Sequence, residues 1–196
     1  YFVSSATEAW EIVIQSLVRE KSTHLYNGAF GNKWVHYAAS VAESFEFSID
    51  QSLAEIAQQI GPIQGDTLCL VQSETSNGTG QKIRRADFQL ADDALVAVDA
   101  TSSMGGIELP WNEADVWLAS VQKCIGIPAG MGMLICSPKA LARARELDRA
   151  THAFALSALR IAQPVGELAG RKLQEDEISK QWSDKLREIL HSHSIG

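Results

Sequence analysis

Two short runs, ALVAVD (94–99) and DVWLASVQK (115–123), are apolar almost without interruption, and each ends on an ionisable side chain. A short apolar run with no polar alternation is what a strand covered on both faces requires. GDTLCLVQ (65–72) and MGMLICS (131–137) are two further strand candidates. Helical patterns or long connections separate these segments. The spacing therefore predicts an α/β fold: a three-layer, mainly parallel sheet with right-handed crossovers.

The remaining elements follow from periodicity and caps. SSATEAWEIVIQSLVRE (4–20) reads as a helix capped by Ser4 or Ser5, with Ala9, Trp10, Val13, Ile14, Leu17 and Val18 at helical spacing. THLYN (23–27) is a short strand, followed by a glycine loop at 28–34. A second helix is expected from Lys33 to about Ser44, then a strand at SFEFSI (44–49). SLAEIAQQIG (52–61) is a helix ending at Gly61, and SETSNGTG (73–80) a polar loop. After Ser137 the pattern is that of charged, solvated helices, with Leu168, Leu173, Ile178, Trp182, Leu186 and Leu190 forming an imperfect apolar stripe.

Composition narrows the function. A net charge of −7 over 196 residues argues against nucleic acid as a partner, and Arg84–Arg85 reads as a solvated loop. Cys69, Cys124 and Cys136 have no CxxC spacing and are expected to be reduced, mostly buried thiols of a cytoplasmic protein. The longest uncharged apolar stretch, CIGIPAGMGMLIC, is too short for a bilayer and is broken by glycine and proline, so no membrane partner is expected. Glu8 and Glu11 interrupt the only candidate for a signal peptide. The sequence opens inside an apolar segment without Met, as a portion of a longer polypeptide would. His191 and His193 have no third ligand nearby and read as a solvated tail, so no metal is expected.

Ligands of open α/β sheets sit outside the carboxyl ends of the strands. Here those ends carry Glu74, Thr75 and Ser76, then Asp99, then Gln122 and Lys123. The start of the first helix offers N–H groups around Ser5, Ala6 and Thr7 to an anion. Phe30 and Trp34 can lie against a flat ring. Together these are an amine nucleophile, a carboxylate, a hydroxyl, an aromatic lid and a phosphate cradle, the set that pyridoxal phosphate (PLP) needs. At ~3 Å and an effective dielectric of about 20, an aspartate–pyridinium pair is worth roughly 5 kcal/mol before desolvation. Lys123 is expected to lose its charge partly through burial.

VDATSSMGG…DVWLASVQK…GIPAGMG resembles the centre of the class V, fold-type I PLP aminotransferases, the group that includes phosphoserine and alanine–glyoxylate aminotransferases. SSATEAWE is similar to that family's phosphate-binding helix start, NGAFGNKW to its "NG.FG.RW" loop and SETSNGT to its "NETSTG" loop. The resemblance covers roughly residues 1–140. It implies that Lys123 is the Schiff-base and proton-shuttling lysine and that Asp99 holds the pyridine nitrogen. It also implies that Phe30 stacks on the ring while Trp34 packs beneath the loop, and that Thr75 donates to the phenolic oxygen. Ser5, Ala6 and Gln122 would then bind the phosphate.

By the same resemblance, residues 1–147 are the PLP-binding large domain without its amino-terminal segment. Residues 148–196 are a helical remainder leading toward a small domain outside this sequence. The implied reaction is ping-pong transamination between a phosphoserine, serine or alanine type of amino acid and a 2-oxo acid, in a homodimer. Gln122, where cysteine desulfurases of this fold carry histidine, favours transamination, and Cys124 reads as a packed thiol. Desulfurase or lyase chemistry and a non-catalytic PLP-fold fragment are the alternatives. Three departures stand out: Ala6 replaces a family glycine, the segment reaching the neighbouring subunit's phosphate is either outside this sequence or lost after Leu147, and the substrate-carboxylate arginine belongs to the small domain outside this sequence. Arg160 and Arg171 are set aside as substitutes.

Overall fold

The computed structural model describes residues 1–39 and 41–144 in full and, beyond them, the backbone of 154–157, 161–164, 167–168 and 171–172. Tyr1–Ala144 make one compact unit and Arg145–Gly196 another. In the first, the chain runs β1 (Phe2–Val3), α1 (Ala6–Leu17), β2 (Ser22–Tyr26), α2 (Ala29–Tyr37), β3 (Ala42–Glu46) and α3 (Leu53–Ile60). It continues through β4 (Thr67–Val71), a two-residue hairpin β5 (Ser73–Glu74) and β6 (Thr79–Gly80), then β7 (Leu95–Asp99), β8 (Val116–Ser120), β9 (Gly132–Cys136) and α4 (Pro138–Ala144).

Seven strands form one sheet in the order β1-β9-β8-β7-β4-β2-β3. The five from β8 to β3 are parallel; β9 runs antiparallel to β8, and β1 antiparallel to β9. The expected mainly parallel sheet is thus present, with an antiparallel edge. β4, β7 and β8 are buried at every position, as their uninterrupted apolar sequences require.

Because side chains alternate along a strand, each strand feeds two cores. Cys69, Leu95, Ala97, Val116 and Leu118 face α1, Trp34 of α2 and Ala140 of α4. Leu68, Leu70, Val96, Val98, Trp117 and Ala119 face Leu53, Ile56 and Ala57 of α3, together with Ile83 and Phe88. Helix α1 buries Ala6, Ala9, Trp10, Val13 and Leu17, and Ser5 caps it by accepting from the Glu8 N–H at 3.1 Å. Gly132 allows the close approach of this helix start to β9: a Cβ there would lie 2.6 Å from the carbonyl carbon of Ser5.

Register carries the strand ends to one place. Val71 is paired with Asp99, and Asp99 with Leu118, so the carboxyl ends of β4, β7 and β8 lie side by side.

Several local expectations are corrected. Helix α2 begins at Ala29 rather than Lys33 because its first turn is capped from far along the chain. The Glu74 carboxylate accepts from the N–H groups of Phe30 and Gly31, and Ser76 Oγ from that of Ala29. Gly28 makes room: a Cβ there would meet Glu74 Cγ at 2.4 Å. The helix ends at Tyr37, and β3 starts at Ala42 because it pairs with β2 from Ser22 onward. The polar loop at 73–80 contains the small β5–β6 hairpin.

Arg85 is not a solvated loop residue, for it pairs with the buried Asp115 at 2.7 Å. Of the cysteines only Cys69 is fully buried, Cys136 being intermediate and Cys124 exposed. In the second unit, Phe154–Ser157 pairs antiparallel with Ile161–Pro164, and Glu167–Leu168 with Arg171–Lys172, where helix was expected. The rest of the expected helical stripe, Arg160, and the His191–His193 pair lie outside the described residues. Among the described residues, no helix is long and apolar enough to cross a membrane.

Candidate active site

A cleft of about 250 Å³ opens at the carboxyl ends of β4, β7 and β8, against the start of α1 and the first turns of α2. The seven residues to which the resemblance gives cofactor roles line it, Ser5, Ala6, Phe30, Thr75, Asp99, Gln122 and Lys123, as does Thr7, whereas Glu74 and Ser76 do not. Nor does Trp34. It is buried beneath, stacked on Trp10 with ring centroids 6.0 Å apart and meeting His24 edge-on at 5.4 Å.

Asp99 ends β7 and is 3% exposed. Its Oδ1 accepts from the Thr101 backbone N–H and its Oδ2 from the Trp10 indole N–H, both at 2.7 Å. No cationic side chain among the described residues pairs with it. Burial pushes its carboxyl above the usual aspartate range, while the hydrogen bonds from Thr101 and Trp10 pull the other way and the nearby Glu74 charge adds to the rise.

Lys123 lies three residues beyond the end of β8, in an exposed segment where Gly126 N–H donates to its carbonyl and Val121 is tied to Met131 and Ile127. Its amine has no hydrogen-bond or ion-pair partner among the described residues. The expected burial of Lys123 is not found, because β8 ends at Ser120 and residues 122–124 are exposed.

The helix start also differs in detail. The Ala6 N–H, expected to be free for an anion, donates to Ser120 Oγ at 3.2 Å, which leaves that hydroxyl proton for another acceptor. Ser5 Oγ accepts from the Glu8 N–H, which leaves its hydroxyl proton too for another acceptor, and the Thr7 N–H keeps no acceptor among the described residues. Phe30, 44% exposed, stands at the rim one turn from Lys33, a second lining cation. Thr75 shares a hydrogen bond with Ser102, whose carbonyl accepts from Cys124 Sγ at 3.2 Å, so Cys124 is tethered at the surface rather than packed.

A pyridinium phosphate suits this donor set. Among the described residues the buried carboxylate has two N–H donors and no cation, and the lysine that lines the same cleft has no partner. Trp10, Thr101, Ser120, Lys33 and Ser102 line the cleft too, and the sequence reading assigned none of them. Ser120 was signalled within VWLASVQK; Trp10 carried no sign separating it from its core-facing neighbours.

A family model for class V aminotransferases matches residues 1–161. The chain belongs to that family. Phosphoserine aminotransferase of Rhodococcus opacus (strain B4) is 34% identical to it over 146 residues, which are 72% of this chain and 38% of that protein. The chain thus spans 38% of the length of that curated relative.

Among solved structures, a phosphoserine aminotransferase from Cytophaga hutchinsonii matches with a TM-score of 0.65 at 33% identity, covering 74% of this class V chain and 42% of the other. Alanine–glyoxylate aminotransferase from Nostoc sp. shares the fold, with a TM-score of 0.63 at 24% identity over 74% of this chain and 41% of its own. The sheet and its covering helices are the fold-type I architecture.

Proposed function

We propose that this chain is the cofactor-binding part of a PLP-dependent aminotransferase of the phosphoserine type. In this reading it moves an amino group from a phosphoserine, serine or alanine type of donor to a 2-oxo acid in two half-reactions, as a cytoplasmic homodimer. The observation that carries the reading is the pairing of opposites in one cleft: the partnerless amine of Lys123 and the cation-free carboxylate of Asp99, on adjacent strand ends. The relatives named phosphoserine aminotransferase, at 34% and 33% identity, support the donor class.

PLP, when bound, supplies an electron sink conjugated to the substrate's amino group. Lys123 Nζ is the covalent anchor and the base that takes and returns the proton at the donor's Cα. Asp99 keeps a proton on the ring nitrogen, and its burial strengthens that charge–charge attraction. Thr75 Oγ1 donates to the ring's phenolic oxygen, and Phe30 covers the ring. Ser5, Thr7, Ser120 and Gln122 hold the phosphate at the positive end of α1, while Ala6 holds Ser120 in place.

The test is direct. PLP is added to the protein, the visible spectrum recorded, the adduct reduced with borohydride and the labelled peptide mapped. Label on Lys123, abolished in Lys123→Ala with an unchanged thermal midpoint, is the expected result. Absence of a visible band, or label elsewhere, refutes the reading. A panel of phosphoserine, alanine and glutamate then identifies the donor, and release of sulfide from cysteine would instead mark a desulfurase.

A further inference from the structure

Asp99 is held by two donors of different kinds. One is a backbone N–H two residues on, which follows from the turn itself; the other comes from Trp10, 89 positions away on α1. An indole N–H can only donate, so the Oδ2 facing it must accept. Donors on both oxygens favour the ionised carboxylate, whereas the dry surroundings favour the neutral acid. An ionised Asp99 is what a protonated ring nitrogen requires. We propose that Trp10 is a positioning residue, whose indole N–H fixes Asp99 Oδ2 and holds the carboxylate in the charged form that keeps the cofactor's ring nitrogen protonated. The proposal rests on the PLP reading above.

The surroundings suit such a role. Trp10 is 4% exposed, its ring is stacked on Trp34 at an interplanar angle of 15° and lies against Tyr37 at 6.0 Å. An indole clamped on its face points its N–H in one direction. Trp34 supplies an internal control. Its own Nε1 is buried without a hydrogen-bond partner, so Trp34→Phe alters the stack and breaks no hydrogen bond. Trp10→Phe keeps an aromatic ring in the stack and deletes the donor.

The experiment uses the full 196-residue chain loaded with PLP carrying ¹⁵N in its ring. In the wild type and in Trp34→Phe the ring nitrogen resonates at its protonated position. In Trp10→Phe it moves toward the unprotonated position, and PLP affinity falls about tenfold, as expected for one hydrogen bond to a charged group. A ring nitrogen that stays protonated in Trp10→Phe, or that moves equally in Trp34→Phe, overturns the proposal and leaves the PLP reading standing. A wild-type chain that takes up no PLP overturns both. Where Trp10→Phe does not fold, the indole N–H resonance of Trp10 is followed in the wild type: it shifts on PLP addition if the bond to Asp99 belongs to the site, and a resonance that stays put refutes the role.

Discussion

Two buried aspartates stand at opposite ends of the same pair of strands. Asp115 precedes β8 and is 7% exposed; Asp99 closes β7 and is 3% exposed. Asp115 is fully partnered: Arg85 at 2.7 Å, the Val96 N–H at 2.9 Å and Ser137 Oγ at 3.1 Å. Asp99 has two N–H donors and, among the described residues, no cation. The rest of each end follows suit. Near Asp115, Arg143 bonds Asp66 and the carbonyls of Leu17, Asp66 and Asp93, while Asp66 accepts from the N–H groups of Arg19, Glu20 and Lys21. Near Asp99, the amine of Lys123 has no partner among the described residues. One end of the sheet is closed by its own charges. In the proposed reading the other receives its charge from outside.

The largest effect is expected at the closed end. Arg143 is 6% exposed, and its guanidinium is the donor to four acceptors. Arg143→Ala leaves those carbonyls and the Asp66 carboxylate short of a donor in a dry place, so stability should fall by about 3–5 kcal/mol, read from the urea midpoint. A loss under about 1 kcal/mol would mean that water reaches this end and the contrast between the two ends is false.

Next in size is a pH effect at His24, a buried group with no counter-charge among the described residues. Burial lowers its pKa to about 4, and Ser22 Oγ lies 3.1 Å from Nε2. The unfolded chain takes this proton near 6.5 and the folded chain only near 4. Between those values the unfolded state binds more protons, so stability rises with pH. The contribution is whole above about pH 6.5 and is lost as pH falls toward 4, about 3 kcal/mol in all. Urea midpoints of the wild type and of His24→Gln, compared at about pH 7 and about pH 4.5, should converge in the acid. Parallel midpoints would show that the folded state takes the proton without strain.

How far the sequence revealed these features depends on where the cause of each lies. Asp99 and Lys123 were legible because an ionisable residue at the end of an apolar run is a local anomaly. The buried strands they follow were legible in the same runs, whereas the order of those strands in the sheet was not. Trp10 was hidden, since on α1 it occupies a core-facing position like Val13 and Leu17, and its polar bond is made across the sheet end. The start of α2 was hidden for a similar reason: its cap is Glu74, 43 residues beyond Gly31. Lys123's exposure was misjudged because burial of the strand was extended past Ser120. The paired end escaped notice altogether, as Arg85–Asp115 joins residues that only the fold brings together.

The smallest effect is expected at Asp99 itself. Asp99→Asn removes a buried carboxylate that no cation among the described residues balances, which favours the folded state. Against that, an amide has one oxygen and one NH2 group, and the NH2 must face either the Trp10 indole or the Thr101 N–H, each a donor. One hydrogen bond is therefore lost, at about 1 kcal/mol, and the two effects oppose each other. The net change in the urea midpoint should stay within about 1 kcal/mol, well below the loss for Arg143→Ala. PLP binding should weaken all the same, because a neutral side chain no longer favours a protonated ring nitrogen. A variant that loses as much stability as Arg143→Ala would show that Asp99 is a structural residue, and that the open end of the sheet is as closed as the other.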